Sequence, residues 1–206
     1  RHTTSFHFRG EFPFPILYLL ILLLLGGAEA KTELKFQPLQ ERDGLLSPFI
    51  RHVAEDSHGF LWIAGQSGLQ RFDGRSFLNF RHAGASENAL LSDFITSLFI
   101  DKQDNVWIGT NKGLQVYSQT NEKMNRVKLA EEAKLEGNAL QINAFHEMGD
   151  GQVWIGTNRG LFAFELSTGK MRYSPHYAIA SILSISDQKL LIGTLKNGLY
   201  AYDIQT

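Results

Sequence analysis

The chain has 206 residues, 43% of them hydrophobic and 20% charged, which is the length of one or two domains and the composition of a folded protein. Lys and Arg number 20 against 21 Asp and Glu, a formal charge of -1 that is too balanced for a nucleic-acid binder, so no nucleic-acid partner is expected. The absence of Cys excludes thiol catalysis, disulfides and Cys-ligated metal, while 19 Gly, 15 Phe and 5 Pro describe an aromatic, turn-rich chain that leans towards β structure.

The N-terminus reads as an export signal. Ile16 to Leu25 (ILYLLILLLL) is an apolar run well short of the roughly 20 residues that cross a bilayer as a helix. Arg1 and Arg9 precede it, and Gly26-Gly27-Ala28-Glu29-Ala30 follows, so Ala28 and Ala30 form an A-x-A-like cleavage site before Lys31. An uncleaved anchor helix beginning near Phe12 is interrupted by Pro13 and Pro15. Residues 1–30 are therefore expected to be a signal peptide, and residues 31–206 an exported, periplasmic domain.

Leu34 to Leu39 (LKFQPL) reads as a strand that arrives before any unit of its own. The segment after it, Leu45-Leu46-Ser47-Pro48-Phe49-Ile50, parallels Leu90-Leu91-Ser92-Asp93-Phe94-Ile95, which follows the last strand of the next unit near Phe77 to Phe80. By that analogy residues 34–39 are a ring-closing outer strand.

A repeat then organises the rest of the chain. Trp62-Ile63-Ala64-Gly65-Gln66-Ser67-Gly68-Leu69, Trp107-Ile108-Gly109-Thr110-Asn111-Lys112-Gly113-Leu114 and Trp154-Ile155-Gly156-Thr157-Asn158-Arg159-Gly160-Leu161 align without a gap. Leu191-Ile192-Gly193-Thr194 through Gly198-Leu199 is a fourth, weaker copy, with Leu in place of Trp and a longer turn. Within the second copy, Phe94 to Asp101, Val106 to Thr110, Leu114 to Tyr117 and Met124 to Leu129 read as four strands separated by polar turns. Gly68, Gly113, Gly160 and Gly198 fall where a tight hairpin favours positive φ. Gly109, Gly156 and Gly193 lie inside strands, which implies a close approach by another backbone.

Four short strands per unit of roughly 40 to 45 residues is the pattern of a β-propeller blade. The fold class expected is all-β: a propeller of four-stranded antiparallel blades, present as an incomplete array of about four, over residues 45–80, 90–129, 140–174 and 178–203. Trp62, Trp107 and Trp154 are expected as packing wedges between blades. Arg at position 1 and the missing fourth strand of the last unit imply a piece of a longer reading frame with further blades.

No catalytic or metal constellation stands out. His2, His7, His52, His58, His82, His146 and His176 form no H-E-x-x-H pair, and a strand-and-turn placement spreads His52, Glu55, Asp56 and His58 to opposite sides. Asp56, Asp101 and Asp150 recur near the first hairpin and read as turn caps rather than as paired glycosidase carboxylates. Gly149-Asp150-Gly151 reads as a turn. The long connections Arg81 to Asp93 and Ala130 to Gln141, the latter with a helical turn, converge on one face and offer the binding surface, although the sequence assigns no ligand-contacting residue.

The repeat as it stands at Asp56 to Asp73 (DSHGFLWIAGQSGLQRFD) resembles the two-component regulator propeller repeat, over residues 34–203. Asp43-Gly44-Leu45 resembles the motif that leads into such blades. The resemblance implies the periplasmic sensor region of a bacterial hybrid histidine kinase or diguanylate cyclase, without enzymatic activity or cofactor in this segment. It also implies an unknown extracellular ligand such as a glycan, a membrane link only through a downstream region, and a homodimer of the full receptor. A secreted propeller enzyme acting on polysaccharide and a protein-interaction scaffold are the alternative readings.

Overall fold

The computed structural model describes residues 38–84, 86, 88–136, 140–149 and 151–204. The expected signal peptide, residues 34–37 of the expected outer strand and Asp150 lie outside the described residues. Pro38 and Leu39 are not in a strand.

From Leu39 onwards the chain is one unit of consecutive antiparallel sheets. Strands β1 (Ile50–Glu55), β2 (Leu61–Gly65), β3 (Leu69–Phe72) and β4 (Phe77–Phe80) pair in chain order. The second sheet is β5 (Ile95–Ile100), β6 (Val106–Thr110), β7 (Gly113–Ser118) and β8 (Lys123–Val127). The third is β9 (Ile142–Glu147), β10 (Gln152–Thr157), β11 (Gly160–Glu165) and β12 (Met171–Pro175). The fourth is β13 (Ile179–Ser186), β14 (Lys189–Thr194) and β15 (Leu199–Asp203). The fourth strand of the second sheet ends at Val127, and Leu129 instead opens a short helix, α1 (Leu129–Glu132).

The first strands contact one another in succession, β1 with β5, β5 with β9 and β9 with β13, so these four sheets are successive blades of a β-propeller with their first strands innermost. Each seam between blades holds its own apolar core. Trp62, Leu90, Ile95, Ile108 and Tyr117 fill the first, Trp107, Ile142, Ile155 and Phe162 the second, and Trp154, Leu161, Ile179 and Ile192 the third. A blade covered on both faces has no wet side, which is why β6 is buried at every residue rather than at alternate ones.

Every innermost strand carries a register shift near its start, at Ile50/His52, Ile95/Ser97 and Ile179/Ser181, and opposite Gly156/Thr157 in the third blade. These bulges place the strand against the in-strand glycines. A Cβ on Gly109 would lie 2.1 Å from Ser97 Oγ and 2.8 Å from Ile142 Cβ; one on Gly156 would lie 2.5 Å from Ile179 Cγ2, and one on Gly193 2.4 Å from Ser181 Oγ. The close neighbour is thus chiefly a side chain of the bulged strand or of the next blade, not the backbone expected from the sequence.

Strand order puts the β1–β2 and β3–β4 turns of each blade on one side of the array. The β2–β3 hairpins and the connections to the next blade lie on the other. Among the described residues no helix is long and apolar enough to cross a membrane.

Candidate functional site

The ten repeat positions singled out in the sequence are distributed along the seams and hairpins rather than gathered into one site. Trp62, Trp107 and Trp154 are at most 2% exposed. Trp62 meets Tyr117 of the next blade with ring centroids 5.5 Å apart, Trp107 meets Phe145 and Phe164 at 6.2 and 5.4 Å, and Trp154 meets Tyr202 at 5.7 Å. Each indole removes about 150–250 Å² from water, roughly 4–6 kcal/mol at 25 cal/mol/Å². The hairpin glycines Gly68, Gly113, Gly160 and Gly198 have φ of 111°, 135°, 140° and 82°, and Gly109, Gly156 and Gly193 face the bulges.

Two further residue types make bonds that the sequence reading missed. The first is the carboxylate six residues before Trp62 and Trp107, which the sequence reading took as a turn cap only. Asp56 Oδ2 accepts the Trp62 Nε1 proton at 2.8 Å while its Oδ1 accepts the amides of His58 and Phe60. Asp101 repeats the pattern with Trp107 at 2.8 Å and the amides of Gln103 and Asn105. The third member of this register is not Asp150 but Met148: the turn closes by Met148 N to Gln152 O, as Asp101 N does to Asn105 O. Met148 offers no carboxylate, and Trp154 Nε1 is buried without a partner.

The second is a buried Gln on the third strand. Gln70 Oε1 accepts Leu46 N at 2.8 Å and its Nε2 donates to Gly44 O; Gln115 Oε1 accepts Leu91 N at 2.6 Å and its Nε2 donates to Ala89 O. A side-chain amide here mimics a strand and pins the loop leading into the blade. The register was readable as Leu69-Gln70, Leu114-Gln115, Leu161-Phe162 and Leu199-Tyr200, where the last two blades replace Gln by an aromatic ring.

The histidines do not converge. His52 Nε2 lies 2.9 Å from Thr96 O, whereas His58 faces Asp104 on the opposite side of the array at 3.7 Å. No group of three metal-ligating side chains occurs among the described residues. His146 Nε2 accepts Ser184 N at 3.2 Å across the third seam, and burial pushes its pKa below the ordinary value. Burial likewise pushes Glu147 up, against Lys102, whose Nζ is 4.0 Å from it. Ser57 N and Oγ donate to Asp104, and these bonds hold its carboxyl below the usual range.

Two surface features have the form of binding sites. One is a groove of about 1000 Å³ between the outer parts of the second and third blades, lined by Arg126, Lys128, Lys170, Arg172, Phe164 and Tyr173 among others. The other lies at the loop-bearing end of the third seam, where His176, Tyr177 and Tyr200 pack ring against ring at 4.9–5.8 Å. The groove is lined by Glu132 and Glu165 as well as by these cations and rings.

Residues 89–112, which span the loop into the second blade, its first two strands and the hairpin after them, match the family profile described as two component regulator propeller. In structure the blades superpose on the extracellular domain of the hybrid two component system BT4673 from B. thetaiotaomicron, with a TM-score of 0.64 and 29% identity over 75% of this chain and 20% of that one. The extracellular domain of the hybrid system BT3049 from the same organism gives a TM-score of 0.71 at 24% identity over 82% of this chain and 25% of that one, a likeness of fold. The WD40 propeller domain of Doa1 shares the fold alone, at 12% identity and a TM-score of 0.54, over 74% of this chain and 50% of that one. The chain spans a quarter or less of the length of the two bacterial domains. A comparison with curated proteins gives no match.

Proposed function

We propose that this chain is the first part of an extracytoplasmic, ligand-sensing propeller of a bacterial signal-transduction receptor. One observation carries the reading: the regulator propeller repeat, in a chain that superposes at 29% identity on the extracellular domain of a hybrid two component system. The apolar run at residues 16–25, framed by Arg9 and Ala28-Glu29-Ala30, supports export to the periplasm. The geometry supports binding. Rigid blades carry loops of differing length to one side, and the candidate surfaces combine aromatic rings with cations.

A sensor needs its ligand to prefer one arrangement of the receptor over another, since equal affinity for both shifts nothing. The reading therefore requires a membrane-spanning run of about 20 apolar residues beyond the last blade and an output domain after it. Cells carrying the intact gene and a transcriptional reporter of its output are expected to respond to an exogenous oligosaccharide, and to lose the response when residues 1–30 are deleted. A reporter driven equally with and without those residues overturns the proposal.

A further inference from the structure

The third seam differs from the first two at its loop-bearing end. Residues 81–94 and 128–141 run between the last strand of one blade and the first strand of the next at the earlier seams, whereas only His176, Tyr177 and Ala178 do so at the third. In the first two blades the residue after the third-strand Leu is a Gln fastened to the incoming loop. In the fourth it is Tyr200, and with so short a connection there is no long loop for it to hold.

The result is a contiguous aromatic surface. His176 stands nearly perpendicular to both tyrosines, at 89° to Tyr177 and 81° to Tyr200, and the two tyrosine rings are tilted by 35°. Their centroids are 4.9–5.8 Å apart, so the rings touch and leave no slot between them for a cation, which rules out an aromatic cage. A ligand must lie on top. Tyr177 is 50% exposed, and neither tyrosine hydroxyl makes a hydrogen bond among the described residues. His176 Nδ1 is buried without a partner among the described residues.

The surroundings set the charge of the ligand. Leu195 N donates to Ala178 O at 2.9 Å, which brings the β14–β15 hairpin beside Tyr177. That hairpin carries Lys196, exposed and without an ion pair among the described residues, and residues 176–178 and 194–200 contain no Asp or Glu. A hairpin that carries a cation and is bonded to the segment bearing flat rings and phenol hydroxyls matches a molecule that has an apolar ring face, hydroxyls and one negative charge.

We infer that His176, Tyr177, Tyr200 and Lys196 form a platform for a carboxylated pyranose of an oligosaccharide, a uronic-acid residue stacked on the tyrosines with its carboxylate on Lys196. The inference rests on the sensor reading for its biological meaning, but the site itself is tested by binding alone. The full-length protein is titrated calorimetrically with oligomers of galacturonate, alginate and chondroitin, and with neutral galactose oligomers of the same length. Binding of at least one uronide is expected, weakened tenfold or more by Tyr177→Ala and by Tyr200→Phe combined with Tyr177→Phe. Lys196→Ala should weaken the uronide three- to tenfold and erase its preference over the neutral oligomer, whereas Lys123→Ala, exposed on β8 of the second blade, should leave affinity unchanged.

Near-UV circular dichroism of each variant reports whether the fold is kept. No binding of any uronide, or binding indifferent to Tyr177→Ala and Lys196→Ala in folded variants, overturns the platform. Binding with a silent reporter would instead overturn the sensor reading and leave the platform standing.

Discussion

Trp107 donates its indole proton to Asp101 Oδ2 at 2.8 Å, so the residue that wedges the second seam is tied to the turn of its own blade. The bond closes a hairpin at one end and fixes the indole that the next blade packs against at the other. Trp62 and Asp56 repeat it at the same separation in sequence, and Trp154 lacks it. Trp→Phe should therefore cost more at position 107 than at 154. At 107 the change removes a hydrogen bond to a carboxylate, worth about 1–3 kcal/mol beyond the lost ring area, although Asp101 Oδ2 keeps Asn105 Nδ2 as a donor; at 154 it removes a donor that had no acceptor among the described residues. Urea denaturation of the two variants measures the difference, and equal losses would show that the bond contributes nothing. In a ¹⁵N-edited spectrum the Trp154 indole proton should lie upfield of the other two, as an unbonded N–H.

Gly109→Ala should destabilise the chain by about 2–4 kcal/mol through overpacking, because the added Cβ meets Ser97 Oγ at 2.1 Å and Ile142 Cβ at 2.8 Å. Shaving Ser97 to Gly should recover only part of the loss, since Ile142 belongs to the next blade and is fully buried. Thermal unfolding of the single and double variants checks both statements. A Gly109→Ala protein as stable as the parent would mean that the bulged strand yields freely.

These two predictions show where the sequence spoke and where it was silent. The propeller class follows from a repeat in which Trp, strand Gly and hairpin Gly keep their spacing, because every blade meets the same neighbours. The Asp–Trp bond was within reach too: counting back from each Trp by the same interval gives Asp56, Asp101 and Met148, and grouping Asp150 with Asp56 and Asp101 hides that register. The bonds between blades were not legible. Thr96 Oγ1 and Ser97 Oγ both donate to Ile142 O, and Asn143 Nδ2 donates to Ile179 O; Thr96 and Asn143 hold the same place before Trp107 and Trp154, but the residue type changes from blade to blade and hides the recurrence. Which side chain reaches the next innermost strand depends on the bulge and the tilt of two sheets. The aromatic surface at the third seam was hidden for a similar reason, since Tyr177 and Tyr200 meet only because the connection between blades is short.

Gln115→Ala should loosen the loop into the second blade before it unfolds the blade. The change leaves Leu91 N without its acceptor and Ala89 O without its donor, a loss of about 1–3 kcal/mol for buried groups. Amide exchange at Leu91 is expected to rise by tenfold or more while Ile108, in the core of the blade, keeps its protection until global unfolding. Unchanged exchange at Leu91 would mean that the loop is held by its packing alone.

The third seam should weaken in mild acid through His146. Its Nε2 accepts the Ser184 amide, so the ring must be neutral with its proton on Nδ1, and burial alone depresses its pKa below 6.5. As pH falls through 6.5 the unfolded chain takes up a proton that the folded chain refuses, so stability is full above that value and is lost down to the folded pKa. The neighbour on the same strand, Glu147, works in the opposite sense. Its carboxyl is raised above 4.5, with Lys102 and Asp101 as its charged neighbours, so its contribution is full below 4.5 and is lost as pH rises through the folded value. Placing His146→Gln in a Glu147→Gln background separates the two, because glutamine can still accept from Ser184 but cannot titrate. Denaturant midpoints between pH 7.5 and 5 should then fall for the His146 protein and stay flat for the His146→Gln protein, and parallel curves would assign the acid sensitivity to another group.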